Sequence, residues 1–311
     1  MTDAWATAAR AQRSGRAVLL FGGGGQVGRQ LRVALAPLGT VIPLTRAEAD
    51  LRDPDAMRAV IERVRPLVIV NAAALTNVDQ AERDPGLANA VNTIAPGIMA
   101  DAARRVGALF VHYSTDYVFD GAIQVPYDED AQPNPINTYG RSKLAGEQRV
   151  AEADGSHMII RTSWVYSVTG AGFVASLLRD LPGKQIVRIV ADQVGSPTWS
   201  RSLASATAAL VQAAVRDDEV ALNSSDWGVY HLGGSGEGSR VEIAEALIDA
   251  LASRLAGDRP TIVPISASVF GALAPRPHYS ALSNLRARKR FGISLQPWRT
   301  ELHRMVAEEY R

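Results

Sequence analysis

Five short, almost wholly apolar runs, at residues 17–22, 40–44, 67–74, 108–114 and 157–163, alternate with stretches of helical periodicity in the first half of the chain. Runs this short are poor surface helices, and their uniformity is that of strands buried on both faces. The helical candidates between them lie at 26–36, 54–63, 84–106 and 139–153. In the first, Val27, Leu31 and Leu35 recur at i, i+4 and i+8, one stripe to lay on a sheet, and Pro37 stops the helix. Such alternation predicts an α/β fold, a doubly wound parallel sheet covered on both faces. Beyond Gly170 the rhythm loosens. Strand candidates at 228–232 and 261–265 bracket a helix at 241–255, a last helix spans 299–309, and the glycine-rich piece 233–238 reads as a loop between lobes.

With 311 residues the chain exceeds the size at which one core stops growing, about 250–300 residues, so a large unit with a smaller lobe is expected. Its 33 Lys+Arg stand against 32 Asp+Glu, a balance that argues against gripping nucleic acid, which needs a clustered positive surplus. The absence of cysteine removes disulfides, thiolate metal sites and cysteine nucleophiles together. Residues 1–16 are rich in Ala and Arg and lack the apolar core of a secretory signal, so they read as a flexible extension. Asn71 interrupts the most apolar stretch, and no run approaches the length of about 18 apolar residues that a membrane span needs. A cytoplasmic protein is the expectation.

Phe21-Gly22-Gly23-Gly24-Gly25-Gln26-Val27-Gly28 follows the first strand and opens the first helix. Glycines there allow positive φ, close approach of backbone N–H groups to a pyrophosphate, and tight packing of helix on sheet, while the helix N-terminus faces the phosphates. Two registers fit, Gly22/Gly25/Gly28 and Gly23/Gly25/Gly28. The strand–loop–helix context makes this a dinucleotide site. The second strand ends Leu44-Thr45-Arg46, an arginine where NAD binding would favour an acid, so NADPH is expected, with NADH as the alternative. Asp50 and Leu51 follow as candidates for the adenine edge or a local turn.

Of the cations only Lys143, Lys184 and Lys289 are lysines, so a lysine in a special place is informative. Tyr139 and Lys143 stand at i and i+4, on one face of a helix. A cation beside a phenol pulls its pKa down from about 10, as a proton donor to a carbonyl oxygen requires, and the same lysine can hold a nicotinamide ribose. Thr115, with Asp116 and Tyr117, leaves a buried strand at its C-terminal end, the edge where open α/β sheets bind ligands. The Thr115 hydroxyl is placed to bond a substrate oxygen beside Tyr139, and Asp116 reads as an orienting or capping group. His112 and His231 read as core histidines.

Six blocks in order carry a resemblance: Gly25-Gln26-Val27-Gly28, Val70-Asn71-Ala72-Ala73-Ala74-Leu75-Thr76-Asn77-Val78-Asp79, Ser114-Thr115-Asp116-Tyr117-Val118-Phe119, Tyr139-Gly140-Arg141-Ser142-Lys143, Arg161-Thr162-Ser163-Trp164-Val165-Tyr166 and Asp192-Gln193-Val194-Gly195-Ser196-Pro197-Thr198. From about Ala17 to Tyr310 the chain resembles the extended short-chain dehydrogenase/reductases and, within them, the dTDP-4-dehydrorhamnose reductases. The resemblance implies a Rossmann-like domain, mainly residues 17–170, and a smaller C-terminal α/β substrate lobe, mainly 171–311, with segments returning to the first domain. It implies reduction of the 4-keto group of a dTDP-6-deoxyhexose, giving dTDP-L-rhamnose, with Thr115, Tyr139 and Lys143 catalytic. Gly22, Gly25, Gln26, Val27, Gly28, Arg46, Asp50, Leu51, Ala73, Ala74 and Thr76 would hold the cofactor. Thr76, Val78, Asp116, Tyr117 and Trp164 would meet the nucleotide sugar, with Arg276 at its diphosphate.

Some relatives use Mg2+ at a dimer contact through a glutamate two residues after the last glycine. Here that place is Gln30, a poor ligand for a hard cation, so no metal is expected and monomer and homodimer both stay open. Tyr117 stands where a dehydratase needs a second acid. A ketoreductase for another nucleotide 4-keto-6-deoxyhexose, and a non-catalytic cofactor-binding regulatory subunit, are the alternatives.

Overall fold

Six parallel strands form one sheet in the order β6-β5-β4-β3-β1-β2, where β1 is Ala17–Phe21, β2 Thr40–Leu44, β3 Val68–Asn71, β4 Leu109–Thr115, β5 His157–Thr162 and β6 Gly228–His231. The computed structural model describes residues 17–181, 183–252 and 259–310. The extension expected at 1–16 lies outside these, as does the end of the helix expected at 241–255. Because β2 lies on one side of β1 and β3 to β6 on the other, the winding reverses between β1 and β3, opening a crevice at their carboxyl ends.

The principal helices are α1 Gln26–Ala34, α2 Pro54–Val64, α3 Ala95–Val106, α4 Thr138–Glu152, α5 Ser200–Ala214, α6 Arg240–Ala250 and α7 Trp298–Glu309. Alternation along β1 shows why both sheet faces are covered. Leu19 and Phe21 pack with Met57 and Val60 of α2 and Met99 of α3, whereas Val18 and Leu20 pack with Leu31 of α1 and Leu203 and Leu210 of α5. A separate core gathers Val174, Leu177, Trp199, Ile243, Leu247, Trp298 and Leu302 around α6 and α7. Beside it Ile186–Val190 and Thr261–Ile265 pair in parallel.

Two expected elements differ. The run 67–74 stops being a strand at Asn71, whose Oδ1 accepts from Ala73 N at 3.1 Å and turns the chain. The single helix expected at 84–106 is three pieces, Pro85–Asn89, a π turn Ala90–Ile94, and α3, and a further short helix, Val78–Arg83, precedes it. Pro96 causes the π turn. With no N–H it cannot bond the Asn92 carbonyl, and Ala95 N–H reaches back to Ala90 instead. The turn carries the Asn92 side chain inward, where it accepts from Leu75 N (2.9 Å) and donates to Leu75 O (3.1 Å) and Ser142 Oγ (3.0 Å). The freed Asn92 carbonyl lies where a Cβ on Gly146 would stand 2.1 Å away, so α4 packs backbone to backbone on the π turn.

Helix α4 is also tied to the sheet by a buried ion pair, Glu147 with Arg161 of β5, at 2.6 and 2.9 Å. Removing one partner strands a charge. Glu147→Gln is expected to cost about 3–5 kcal/mol, read as a lower urea midpoint, and the double replacement Glu147→Met/Arg161→Leu should recover most of it.

Candidate active site

The glycine run adopts the Gly22/Gly25/Gly28 register. Gly22 has φ +77°, and a Cβ there would stand 2.7 Å from Ala73 N; a Cβ on Gly28 would stand 2.0 Å from Gly22 O. Gly25 caps α1, its N–H donating to Gly22 O at 2.9 Å. Gln26 ties this corner to the segment after β5 by donating to Val165 O at 2.9 Å. At the far end of the crevice, Glu48 is turned back on its own loop by Thr45 N and Oγ1, at 2.8 and 2.9 Å. Asp50 is held by Arg52 (2.6 and 3.0 Å) and by Arg46 (3.3 Å), and the Arg52 guanidinium keeps its carboxyl well below the usual range. Both arginines, with Leu51, line a 430 Å³ cavity that reaches Gly22, Ala73 and Ala74. Sequence reading singled out Arg46 and missed Arg52, whose only signal was its place two residues after Asp50.

That cavity shares its glycine and alanine walls with one of 490 Å³ containing Gln26, Val27, Thr76, Thr115, Tyr139, Lys143 and Trp164. The latter shares Thr76, Thr115, Asp116, Tyr139 and Trp164 with a third of 220 Å³, where Val78, Tyr117 and Arg240 join. A fourth, of 550 Å³, continues past Arg240 to Gln193, Phe270, Arg276 and His278. Every residue given a catalytic, cofactor or substrate role by the resemblance except Gly28 lines this chain of cavities. Gly28 serves from behind, by letting α1 approach the loop.

Tyr139 sits where the two middle cavities meet and Lys143 lines the 490 Å³ one, because Asn137 caps α4 through Gly140 N (2.7 Å) and because Gly140 lacks a side chain. A Cβ at Gly140 would stand 2.1 Å from Tyr117 O. The Tyr139 and Tyr117 rings meet edge to face at 5.9 Å. Burial pushes the Tyr139 phenol above its usual value, and its hydrogen bond with Thr115 opposes the shift. The expected lowering by Lys143 is therefore not what this arrangement gives. Lys143 Nζ instead faces Tyr113 O at 2.6 Å and His112 Nε2 at 3.1 Å, and burial pulls Lys143 down to about 8 against the pull of Glu147.

Asp116 is tied to three hydroxyls. Its buried carboxylate accepts from Thr115 Oγ1 (3.1 Å), Ser163 Oγ (2.9 Å) and Ser280 Oγ (2.5 Å). The sequence pattern gave the two serines no role of their own, and they come from segments 47 and 164 residues away. Trp164 has φ +44°, rare for a bulky residue and a mark of a side chain held for a purpose. Its ring lies against Gly195, where a Cβ would be 2.6 Å from the indole, and under the Arg240 guanidinium at 4.3 Å. Arg276 is partly committed, donating to Asp79 Oδ1 at 2.7 Å. Asn77, not Thr76, caps the helix Val78–Arg83, which leaves Thr76 free to line the cavities.

The family model described as the RmlD substrate binding domain matches residues 16–311. A dTDP-4-dehydrorhamnose reductase of Burkholderia thailandensis is 45% identical over 287 residues, covering 91% of this chain and 95% of that protein. The chain belongs to the dTDP-4-dehydrorhamnose reductase family. The fold agrees with solved members. The reductase of Bacillus anthracis in complex with NADP superposes with a TM-score of 0.86 at 34% identity, covering 94% of this chain and 99% of that one. The Clostridium acetobutylicum reductase gives 0.86 at 29%, covering 95% and 100%. Among the described residues no helix is long and apolar enough to cross a membrane.

Burial raises Asp116 from an ordinary 3.8 to about 6, so its ionised form costs stability; that cost is full above pH 6 and is relieved as pH falls toward 3.8. Wild type should therefore gain stability relative to Asp116→Asn between pH 7 and 5, by at most about 1.4 kcal/mol per pH unit, measured by denaturant unfolding.

Proposed function

We propose that this protein reduces the 4-keto group of dTDP-4-dehydro-L-rhamnose with NADPH in the cytoplasm, giving dTDP-L-rhamnose. The observation that carries this reading is that Tyr139 and Thr115 line both a glycine-floored crevice and a pocket walled by Trp164 and Tyr117, with Lys143 on the crevice side.

NADPH fits the residues present. The Gly22 cradle is one that a Cβ would fill, and the α1 N-terminus opens on it with no acid in its first turn. Arg46 and Arg52 would supply the cations that a 2′-phosphate needs, and Asp50 and Leu51 would lie beside the adenosine, all four lining one cavity. Ala73, Ala74 and Thr76 would line the nicotinamide side. When bound, the cofactor supplies the hydride that reaches the ketone carbon.

The protein's own groups manage the oxygen. The Tyr139 hydroxyl gives its proton to the oxygen as charge develops there, and Thr115, whose single hydrogen goes to Asp116 Oδ1 at 3.1 Å, would turn that hydrogen to the substrate oxygen as a second hydrogen bond. A phenol raised by burial is a neutral donor at pH 7, ready to release its proton toward a developing alkoxide. Val78, Tyr117 and Trp164 would shape the sugar pocket. Arg276, with Arg240 and His278, would meet the diphosphate in the fourth cavity. Lys143 as ammonium would hold the ribose.

The deciding assay is NADPH oxidation against a panel of dTDP- and GDP-linked 4-keto-6-deoxyhexoses, in which dTDP-4-dehydro-L-rhamnose should give the highest kcat/KM. Tyr139→Phe should lower turnover by at least about 10²-fold, with NADPH affinity measured by fluorescence titration unchanged; near-normal reduction sinks the mechanism. Arg46→Asp should raise the NADH/NADPH ratio of kcat/KM by about tenfold or more.

A further inference from the structure

Lys143 does not lie in the cavity alone; it is the end of a buried row that starts at the tip of β3. Asn71 and His112 are both wholly buried, and the row runs Ala73 N, Asn71, His112, Lys143, Tyr113 O. Each link constrains the next by what the atoms can and cannot donate. Ala73 N–H can only donate, so the Asn71 atom facing it at 3.1 Å is the oxygen. The Asn71 NH2 then faces His112 Nδ1 at 3.2 Å and can also only donate, so Nδ1 carries no hydrogen. Burial holds His112 well below its ordinary value, hence neutral, and a neutral imidazole without hydrogen on Nδ1 has it on Nε2.

That hydrogen points at Lys143 Nζ, 3.1 Å away. An ammonium has no lone pair to receive it; a neutral amine does, and keeps hydrogens for Tyr113 O. We infer that His112, locked as its Nε2–H tautomer by Asn71, donates to Lys143 and stabilises the lysine as an amine in this position, making His112 the residue that sets its protonation. Protonated, Lys143 meets two opposed donors at His112, and Nζ is turned toward the cavity that Tyr139 also lines. Proton uptake thus moves the cation from strand to active site. The other titratable groups packed around it leave this logic in place. Tyr139 and Glu147 lie on its own helix, Glu147 is engaged by Arg161 of β5, and Asp116, beyond β4, is engaged by three hydroxyls.

The chain's three lysines and five histidines make the test direct. In the intact wild-type protein, long-range 1H–15N correlations should show His112 with hydrogen on Nε2; hydrogen on Nδ1 overturns the inference. With 13C-labelled lysine, Lys143 should titrate near 8 while Lys184 and Lys289 serve as references, and His112→Leu, which removes the donor while keeping the site dry, should raise the Lys143 value by about one unit. An unmoved titration in a folded variant also overturns it. If His112→Leu does not fold, Asn71→Asp gives the same readout, because a carboxylate accepts from Nδ1–H, reverses the tautomer and should shift Lys143 upward. A kinetic arm rests on the proposed reduction: the alkaline limb of kcat/KM should move up with the lysine. Since the NMR readouts need no substrate, failure of that reaction and failure of this inference are distinguishable.

Discussion

Helix α4 lies where it does because two of its residues have no side chain. At Gly140 the helix rests on the Tyr117 carbonyl and at Gly146 on the Asn92 carbonyl, with room in neither place for a Cβ. These contacts fix the height of the helix over the end of β4, and with it the positions of Tyr139 and Lys143, one turn apart on the face between them. Hydrogen bonds then finish the placement. Asn137 caps the first turn, Ser142 is bonded by Asn92, and Glu147 is clamped by Arg161. A site that transfers a proton needs such closeness, because an error of an ångström in the donor is costly.

Much of this was readable in the residues. Uniformly apolar runs gave the strands, since a sheet buried on both faces leaves no alternation to confuse with a surface helix, and Tyr139, Lys143 and Thr115 stood out by type and spacing. What stayed hidden is what depends on a third dimension. Choosing Gly22/Gly25/Gly28 over its competitor needs the Ala73 backbone and the Gly22 carbonyl as neighbours. The break in the helix expected at 84–106 hinges on Pro96, and a proline in a helical pattern does not say which carbonyl it frees or where that carbonyl goes. Asp116 stood out by its place after Thr115, but its partners Ser163 and Ser280 arrive from other loops, and no motif says that their hydroxyls meet there.

The lysine teaches the same point in electrostatic terms. Four residues from a tyrosine, it reads as a cation that lowers the phenol. In the folded chain the stronger effect on each group is burial, which raises one and depresses the other. Sequence spacing gives proximity along a helix; it does not give the dielectric or the competing acceptors that decide where a proton rests.

Strand β6 and helix α5 come from the second half of the chain, yet one closes the edge of the sheet beside β5 and the other covers the face that carries Val18, Leu20, Val70 and Val111. During synthesis the first five strands therefore emerge before either cover exists. A nascent chain stopped near residue 170 would present an apolar face covered only by α1 and an open edge, the conditions that invite chaperone capture or self-association. For this protein the ribosome must deliver some sixty further residues before the nucleotide crevice has its supporting wall, so truncation at the apparent end of the first half should yield an aggregating fragment instead of a working half-enzyme.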